Sequence, residues 1–140
     1  MVSGIKRKFR LEIFTPDEKI FNGEAYCVSF TAADGQVGVM GNSLPLIAKL
    51  GAGAVKVDLA DGNTITYYVP IGFAQSAENV LTILAEECIP VEKIYVDDAR
   101  RELMRARLLP MRTDEEYERR QIALETARIK FRLAREIRRR

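Results

Sequence analysis

All nine glycines of this 140-residue chain lie at or before Gly72, and of its five prolines only Pro110 falls beyond residue 95. Glycine and proline punctuate a chain into short segments, so a stretch rich in them and a stretch nearly without them fold differently. Charge divides at the same place. Residues 1–95 carry 8 Lys+Arg against 11 Asp+Glu, a net −3, and residues 96–140 carry 14 against 9, a net +5. The chain is therefore expected to have two parts, 1–95 and 96–140.

The first part reads as β. Phe9–Phe14, Ala54–Leu59, Thr64–Val69 and Val80–Leu84 alternate apolar and polar residues and are rich in β-branched and aromatic side chains, the pattern of half-buried strands. Turn signals separate them at Thr15-Pro16-Asp17-Glu18, Asn22-Gly23, Asp34-Gly35, Gly51-Ala52-Gly53 and Asp61-Gly62-Asn63. That close spacing favours an antiparallel sandwich or barrel over a parallel sheet with helical crossovers.

The second part reads as two helices. Asp97 is expected to cap the first, which runs to about Leu109 and stops before Pro110, because proline lacks a donor and disfavours helix at the residue before it. Thr113 and Glu116 form a capping box for the second, Asp114 to about Arg138, roughly 37 Å at 1.5 Å per residue. Acidic residues in its first turn and Arg138-Arg139-Arg140 at its far end suit the helix dipole. Two apolar stripes run along it: Ile122, Thr126, Ile129, Leu133 and Ile137, and Tyr117, Leu124, Ala127, Phe131 and Ala134. They read as one wide packing seam, or as one seam plus a face for another protein. The fold class is thus α+β: an N-terminal antiparallel β-sandwich, then a C-terminal antiparallel two-helix hairpin.

Composition excludes several chemistries. With no histidine, the commonest general base and metal ligand is missing, and a His-based triad is impossible. Cys27 and Cys88 sit in apolar, strand-like runs and read as buried thiols rather than a disulfide or zinc site. No apolar run approaches the roughly 18 residues that cross a bilayer, and Met1–Arg10 lacks the apolar centre of a secretory signal. The chain is expected to be cytosolic and to meet a membrane only through a partner.

Three motifs remain. Asp34-Gly35-Gln36-Val37-Gly38-Val39 lacks the Gly-Lys-Ser/Thr of a phosphate loop; it reads as a hairpin turn, with Gly38 allowing close backbone approach. Glu86-Glu87 reads as a solvated strand end. The helical arginines, with Glu102, Glu115, Glu116, Glu118, Glu125 and Glu136 among them, read as a salt-bridged face or a surface for an acidic protein partner. Nucleic acid would want fewer acids interleaved.

The run Gly35-Gln36-Val37-Gly38-Val39-Met40-Gly41-Asn42-Ser43-Leu44-Pro45-Leu46-Ile47 resembles the segment Gly-Glu-Leu-Gly-Ile followed by Pro-Gly-His-Ala-Pro-Leu-Leu in the epsilon subunits of the rotary F-type ATP synthases (mitochondrial delta equivalents). Phe21-Asn22-Gly23, Gly53-Ala54-Val55, Ile71-Gly72-Phe73-Ala74, Asn79 to Ala85 and Val96 to Arg100 follow in the family's order. The resemblance covers about residues 9–140.

The resemblance implies a non-catalytic subunit at the cytoplasmic face of the inner (plasma) membrane, without a metal or resident cofactor. Residues 1–95 would dock the rotor, meeting the gamma subunit and the membrane c-ring through Gln36, Gly38, Ser43, Pro45 and Leu46. Residues 96–140 would regulate, with Arg119, Arg120, Arg128, Arg132 and Arg135 facing the acidic segment of the catalytic alpha/beta subunits. Some family members bind regulatory ATP through Ile/Leu-Asp-x-x-Arg-Ala, matched here by Val96, Asp97 and Arg100, with Arg101 replacing the alanine. Gln36 replaces the family glutamate, Gly41-Asn42 its Pro-Gly, and Ser43 its histidine. The alternative is a free-standing ligand- or nucleotide-sensing β-domain with a regulatory hairpin.

Overall fold

A computed structural model describes residues 7–42 and 45–138. The chain forms two compact units, Met1–Cys88 and Ile89–Arg140. The division falls earlier than the 95/96 break in composition. The reason is a 3₁₀ turn at Val91–Lys93, which packs against the long second helix and so belongs with the helices.

Among the described residues the first unit holds eight strands: β1 (Phe9–Phe14), β2 (Lys19–Ala32), β3 (Gly35–Met40), β4 (Leu46–Leu50), β5 (Gly53–Leu59), β6 (Thr64–Val69), β7 (Gly72–Ala77) and β8 (Val80–Ala85). Neighbours run β1-β8-β7-β4 on one side and β2-β5-β6 on the other, with β3 on β2. All pairings are antiparallel except β1–β8, which is parallel with Leu11 opposite Leu81 and Ile13 opposite Ile83. The antiparallel sandwich read from the turn spacing thus carries one parallel pair where the first and last strands meet.

The core follows from the alternation. Leu11 and Ile13, Val28 and Phe30, Val55 and Val57, and Leu81 and Ile83 are fully buried and point the same way along their strands. Each such side chain contributes about 1.5–3 kcal/mol on leaving water. The run at Asp34–Val39 opens on the β2–β3 hairpin turn, Ala33-Asp34, and continues as β3 from Gly35, which has the positive φ (124°) that glycine tolerates. Gly38 makes no close approach, since a Cβ there would meet nothing within 4 Å. Gly72 is tight, since a Cβ there would lie 2.6 Å from the Leu84 carbonyl oxygen, and Gly41 is tighter still against Arg7. At Gly72, β7 and β8 pair, Gly72 opposite Ala85.

The second unit is a hairpin of α1 (Val96–Arg107) and α2 (Asp114–Arg138). Asp97 does not cap α1. Tyr95 is the cap, with extended backbone and no side-chain cap bond, and α1 ends at Arg107 rather than Leu109. Asp97 lies in the first turn, where its charge suits the dipole without a capping bond. Thr113 does cap α2, its Oγ1 accepting from the Glu116 N–H at 3.1 Å. Leu103 and Ala106 of α1 meet Leu124 and Ala127 of α2, with Ala123 and Phe131 alongside. The second stripe supplies this seam through Leu124, Ala127 and Phe131 while its Tyr117 is 50% exposed; of the first stripe Leu133 is buried and Ile122 is 63% exposed. Arg139 and Arg140 lie outside the described residues.

Gly72→Ala should cost about 1–3 kcal/mol, because the neighbour it strikes is backbone and cannot rotate away. Gly38→Ala should be neutral, or stabilising by up to about 1 kcal/mol. Thermal unfolding of the two variants checks this, and equal melting shifts would refute the contrast.

Candidate docking surfaces

The outward face of β4, β7 and β8 carries exposed apolar side chains among the polar Lys49, Gln75 and Thr82. Phe73 stands between Lys49 and Leu84 in register, and Ile47 lies one row on, opposite Gln75. Ile47, Phe73 and Leu84 are 81%, 54% and 55% exposed. At one end this face deepens into a groove of about 440 Å³ lined by Phe14, Pro16, Ile71, Phe73 and Leu84. Exposed apolar groups that adjoin one another mark an interaction surface, which scattered ones do not. Strand pattern alone did not single this face out. The available signal was Val80-Leu81-Thr82-Ile83-Leu84, where Val80 and Leu84 put apolar residues on the outward parity as well.

The residues expected to meet the rotor do not form one patch. Gln36 and Gly38 lie on β3, with the Gln36 amide donating to the Thr31 hydroxyl at 2.8 Å. Pro45 and Leu46 lie where β4 begins, beyond the far end of β3. Five residue steps of strand separate the ends of β3, about 17 Å. Leu46 turns partly into the core, and Pro45 is exposed. Ser43 lies outside the described residues.

In the helical unit, Val96 is half-buried. Asp97 pairs with Arg100 at 3.4 Å and Asp98 with Arg101 at 2.9 Å. These exposed one-turn pairs contribute only about 0.3–0.5 kcal/mol each. Arg101, at the family's alanine position, is thus accommodated on the surface. Arg100 lies over one side of the Phe131 ring (5.7 Å) and Arg135 over it at 5.4 Å, so two guanidiniums from different helices converge on one aromatic ring. Of the arginines expected to face a partner, Arg119, Arg128, Arg132 and Arg135 are exposed, Arg132 beside Glu136 at 3.7 Å. Arg120 instead turns into the hairpin, where its Nη2 donates to the Arg107 carbonyl at 3.3 Å, at the C-terminal end of α1. The strongest polar tie between the helices is Lys130 Nζ, which donates to both Glu102 carboxylate oxygens at 2.9 and 3.1 Å.

Cys27 and Cys88 are free thiols, the first half-buried and the second buried. Burial pushes Cys88 up to about 12. Burial and then the Asp58 charge raise Cys27, and burial and then Cys88 raise Tyr67. All three are held neutral, the opposite of an activated nucleophile. Glu86 and Glu87 are exposed past the end of β8. Among the described residues no group of His, Cys, Asp and Glu could hold a metal ion, and no helix is long and apolar enough to cross a membrane.

An outward apolar sheet face joined in one chain to a basic helical hairpin defines a docking protein that works within a larger assembly. Residues 8–91 match the family described as "ATP synthase, Delta/Epsilon chain, beta-sandwich domain". The chain belongs to this family, as a non-catalytic epsilon-type subunit. It is 33% identical over 128 residues to the sodium ion specific ATP synthase epsilon chain of Propionigenium modestum, covering 90% of this chain and 93% of that one. It is also 33% identical to the ATP synthase epsilon chain of Ruminiclostridium cellulolyticum, covering 91% and 89%. The fold recurs in a chain of the Euglena gracilis mitochondrial ATP synthase, solved as an OSCP/F1/c-ring assembly, with TM-score 0.78, 23% identity and coverage of 89% and 79%.

Removing the partner of a mostly buried ammonium is costly, and the Lys130 side chain is only 13% exposed against 42% for Glu102. Discounted for the wetter Glu102 side, Glu102→Ala should destabilise the hairpin by about 1–2 kcal/mol. Faster amide exchange along α1 and α2, with the strands unchanged, checks this; unchanged helices would refute it.

Proposed function

We propose that this chain is the epsilon-type subunit of the central stalk of a proton-translocating F-type ATP synthase, coupling the rotor to the catalytic head. The supporting observation is the exposure of Ile47, Phe73 and Leu84 on the outward face of the sheet. That face would dock the gamma subunit, and the β2–β3 end with Gln36 would meet the polar loops of the c-ring. Pro45 and its neighbours, at the other end, would then touch the gamma subunit rather than the c-ring. Because a relative is named as sodium ion specific, the coupling ion belongs to the membrane partners, and proton is the reading adopted. The subunit would sit at the cytoplasmic face of the inner membrane, held there through the complex.

The hairpin is the regulatory part of this proposal. Exposed Arg119, Arg128, Arg132 and Arg135 present positive charge to the acidic segment of the catalytic subunits, a complementarity that steers and orients docking. Two placements of the hairpin, biased by ligand and by rotation, would switch ATP hydrolysis on and off. Regulatory ATP would sit where Arg100 and Arg135 converge on Phe131, beside Asp97. A free-standing sensor fits less well, because it would bury the apolar side chains of its hairpin, whereas Met104, Leu108, Met111 and Ile122 are all more than half exposed.

A synthase assembled with the chain lacking residues 96–140 should still couple ATP synthesis to the ion gradient while losing inhibition of hydrolysis. Loss of coupling would refute this division of labour. Separately, Arg100→Ala should weaken ATP binding to the isolated chain about tenfold, the loss of one charge-assisted contact. Unchanged affinity in a titration would remove Arg100 from the site.

A further inference from the structure

At one end of the sandwich, three separate stretches of chain are tied to a single side chain. Asn79 sits in the two-residue turn between β7 and β8 with φ 64°, a left-handed conformation that asparagine adopts more readily than most residues. Its Oδ1 accepts from the Asn42 N–H at 3.1 Å, and its Nδ2 donates to the Lys8 carbonyl at 2.9 Å. Its backbone carbonyl accepts from the Arg10 N–H at 3.1 Å. The amide thus uses an acceptor and a donor on separate atoms to reach two different segments at once, and Gln would place the amide one carbon further out. Asn42 is itself left-handed (φ 65°). Gly41 before it lies so close to the backbone of Arg7 that any Cβ would strike the Arg7 carbonyl.

We infer that Asn79 is a positioning residue for rotor docking: it clamps the Gly41-Asn42 turn, at the Pro45 end of the sandwich, to the start of β1. This inference rests on the proposal that the Pro45 end of the sandwich touches the gamma subunit. The clamp adds little to the fold, because its bonds are exposed and β1 is already paired to β8 in the sheet. Its effect is on the population of one conformation of the Gly41-Asn42 turn, and a docking affinity scales directly with that population.

The test titrates the full-length chain against a gamma-containing catalytic head stripped of its native copy. Asn79→Gly keeps the left-handed backbone and the Arg10 bond but deletes both amide bonds. It should raise the dissociation constant about tenfold and speed amide exchange at Asn42. The core variant Val57→Ala supplies the control: it should lower the melting temperature at least as much yet leave affinity unchanged. If Val57→Ala weakens docking equally, Asn79 acts only through stability and the inference fails. Pro45→Asp probes the underlying reading. A weakened Pro45→Asp with an unaffected Asn79→Gly overturns the clamp alone, and two unaffected variants overturn the rotor contact and the clamp with it. Should Asn79→Gly not fold, Asn79→Asp, which keeps the acceptor and loses the donor, is read against the same outcomes.

Discussion

The sandwich depends on β2. This 14-residue strand gives its first half to β1, from Phe14 opposite Lys19 to Phe9 opposite Ala25. Its second half goes to β3 on one edge and β5 on the other. Between Ala25 and Cys27 the register with β5 slips by a residue, and such a bulge bends a strand and increases its twist. One continuous backbone thus joins both sides of the core, and the buried residues of β1, β5 and β8 close on Val28 and Phe30 from either side of that bend. The parallel β1–β8 pair follows from this, since β1 has β2 on one edge and takes the last strand on the other.

The hairpin is held differently. Its seam is built of two leucines and several alanines, with Phe131 at one side, and alanine buries little surface to offset the entropy of ordering a helix. Polar ties carry a correspondingly larger share: the Lys130–Glu102 pair, the Arg120 bond to the end of α1, and the arginines over Phe131. A seam of small side chains with polar ties along it separates at lower cost than a sandwich core. That suits an element proposed to take two placements.

Much of this was legible in the sequence, for physical reasons. Period-two alternation located β1, β5, β6 and β8 within a residue, because β1, β5 and β8 each bury one face and β6 starts the same way before burying Tyr67, Tyr68 and Val69 together, and the Thr113 cap marked the start of α2. Four features were not legible. Gly38 looked structural because glycine in a hairpin motif suggests a tight approach, yet only coordinates reveal that Gly41 and Gly72 carry the crowding. Asp97 looked like a cap because aspartate is favoured both there and in the first helical turn. The rotor residues looked contiguous because Gln36 and Pro45 are close in sequence, but an intervening strand carries them to opposite ends. The outward apolar face was hidden for a related reason: alternation identifies which parity is buried and leaves open whether the other parity meets water or a partner.

The two surfaces differ in their physics, and this gives the charge asymmetry a purpose. Docking through Ile47, Phe73 and Leu84 draws on burial of apolar area, which added salt does not weaken. Docking through exposed arginines draws on Coulomb attraction, screened over about 8 Å at physiological ionic strength. A subunit that must stay attached while one of its parts engages and releases benefits from this separation. In the proposed function the apolar face would supply a hold insensitive to the ionic surroundings, and the basic helices a weaker, longer-ranged attraction that a ligand or a moving partner could offset. Had the net +5 of residues 96–140 been spread over the sandwich instead, attachment and regulation would respond to the same perturbations and could not be set independently.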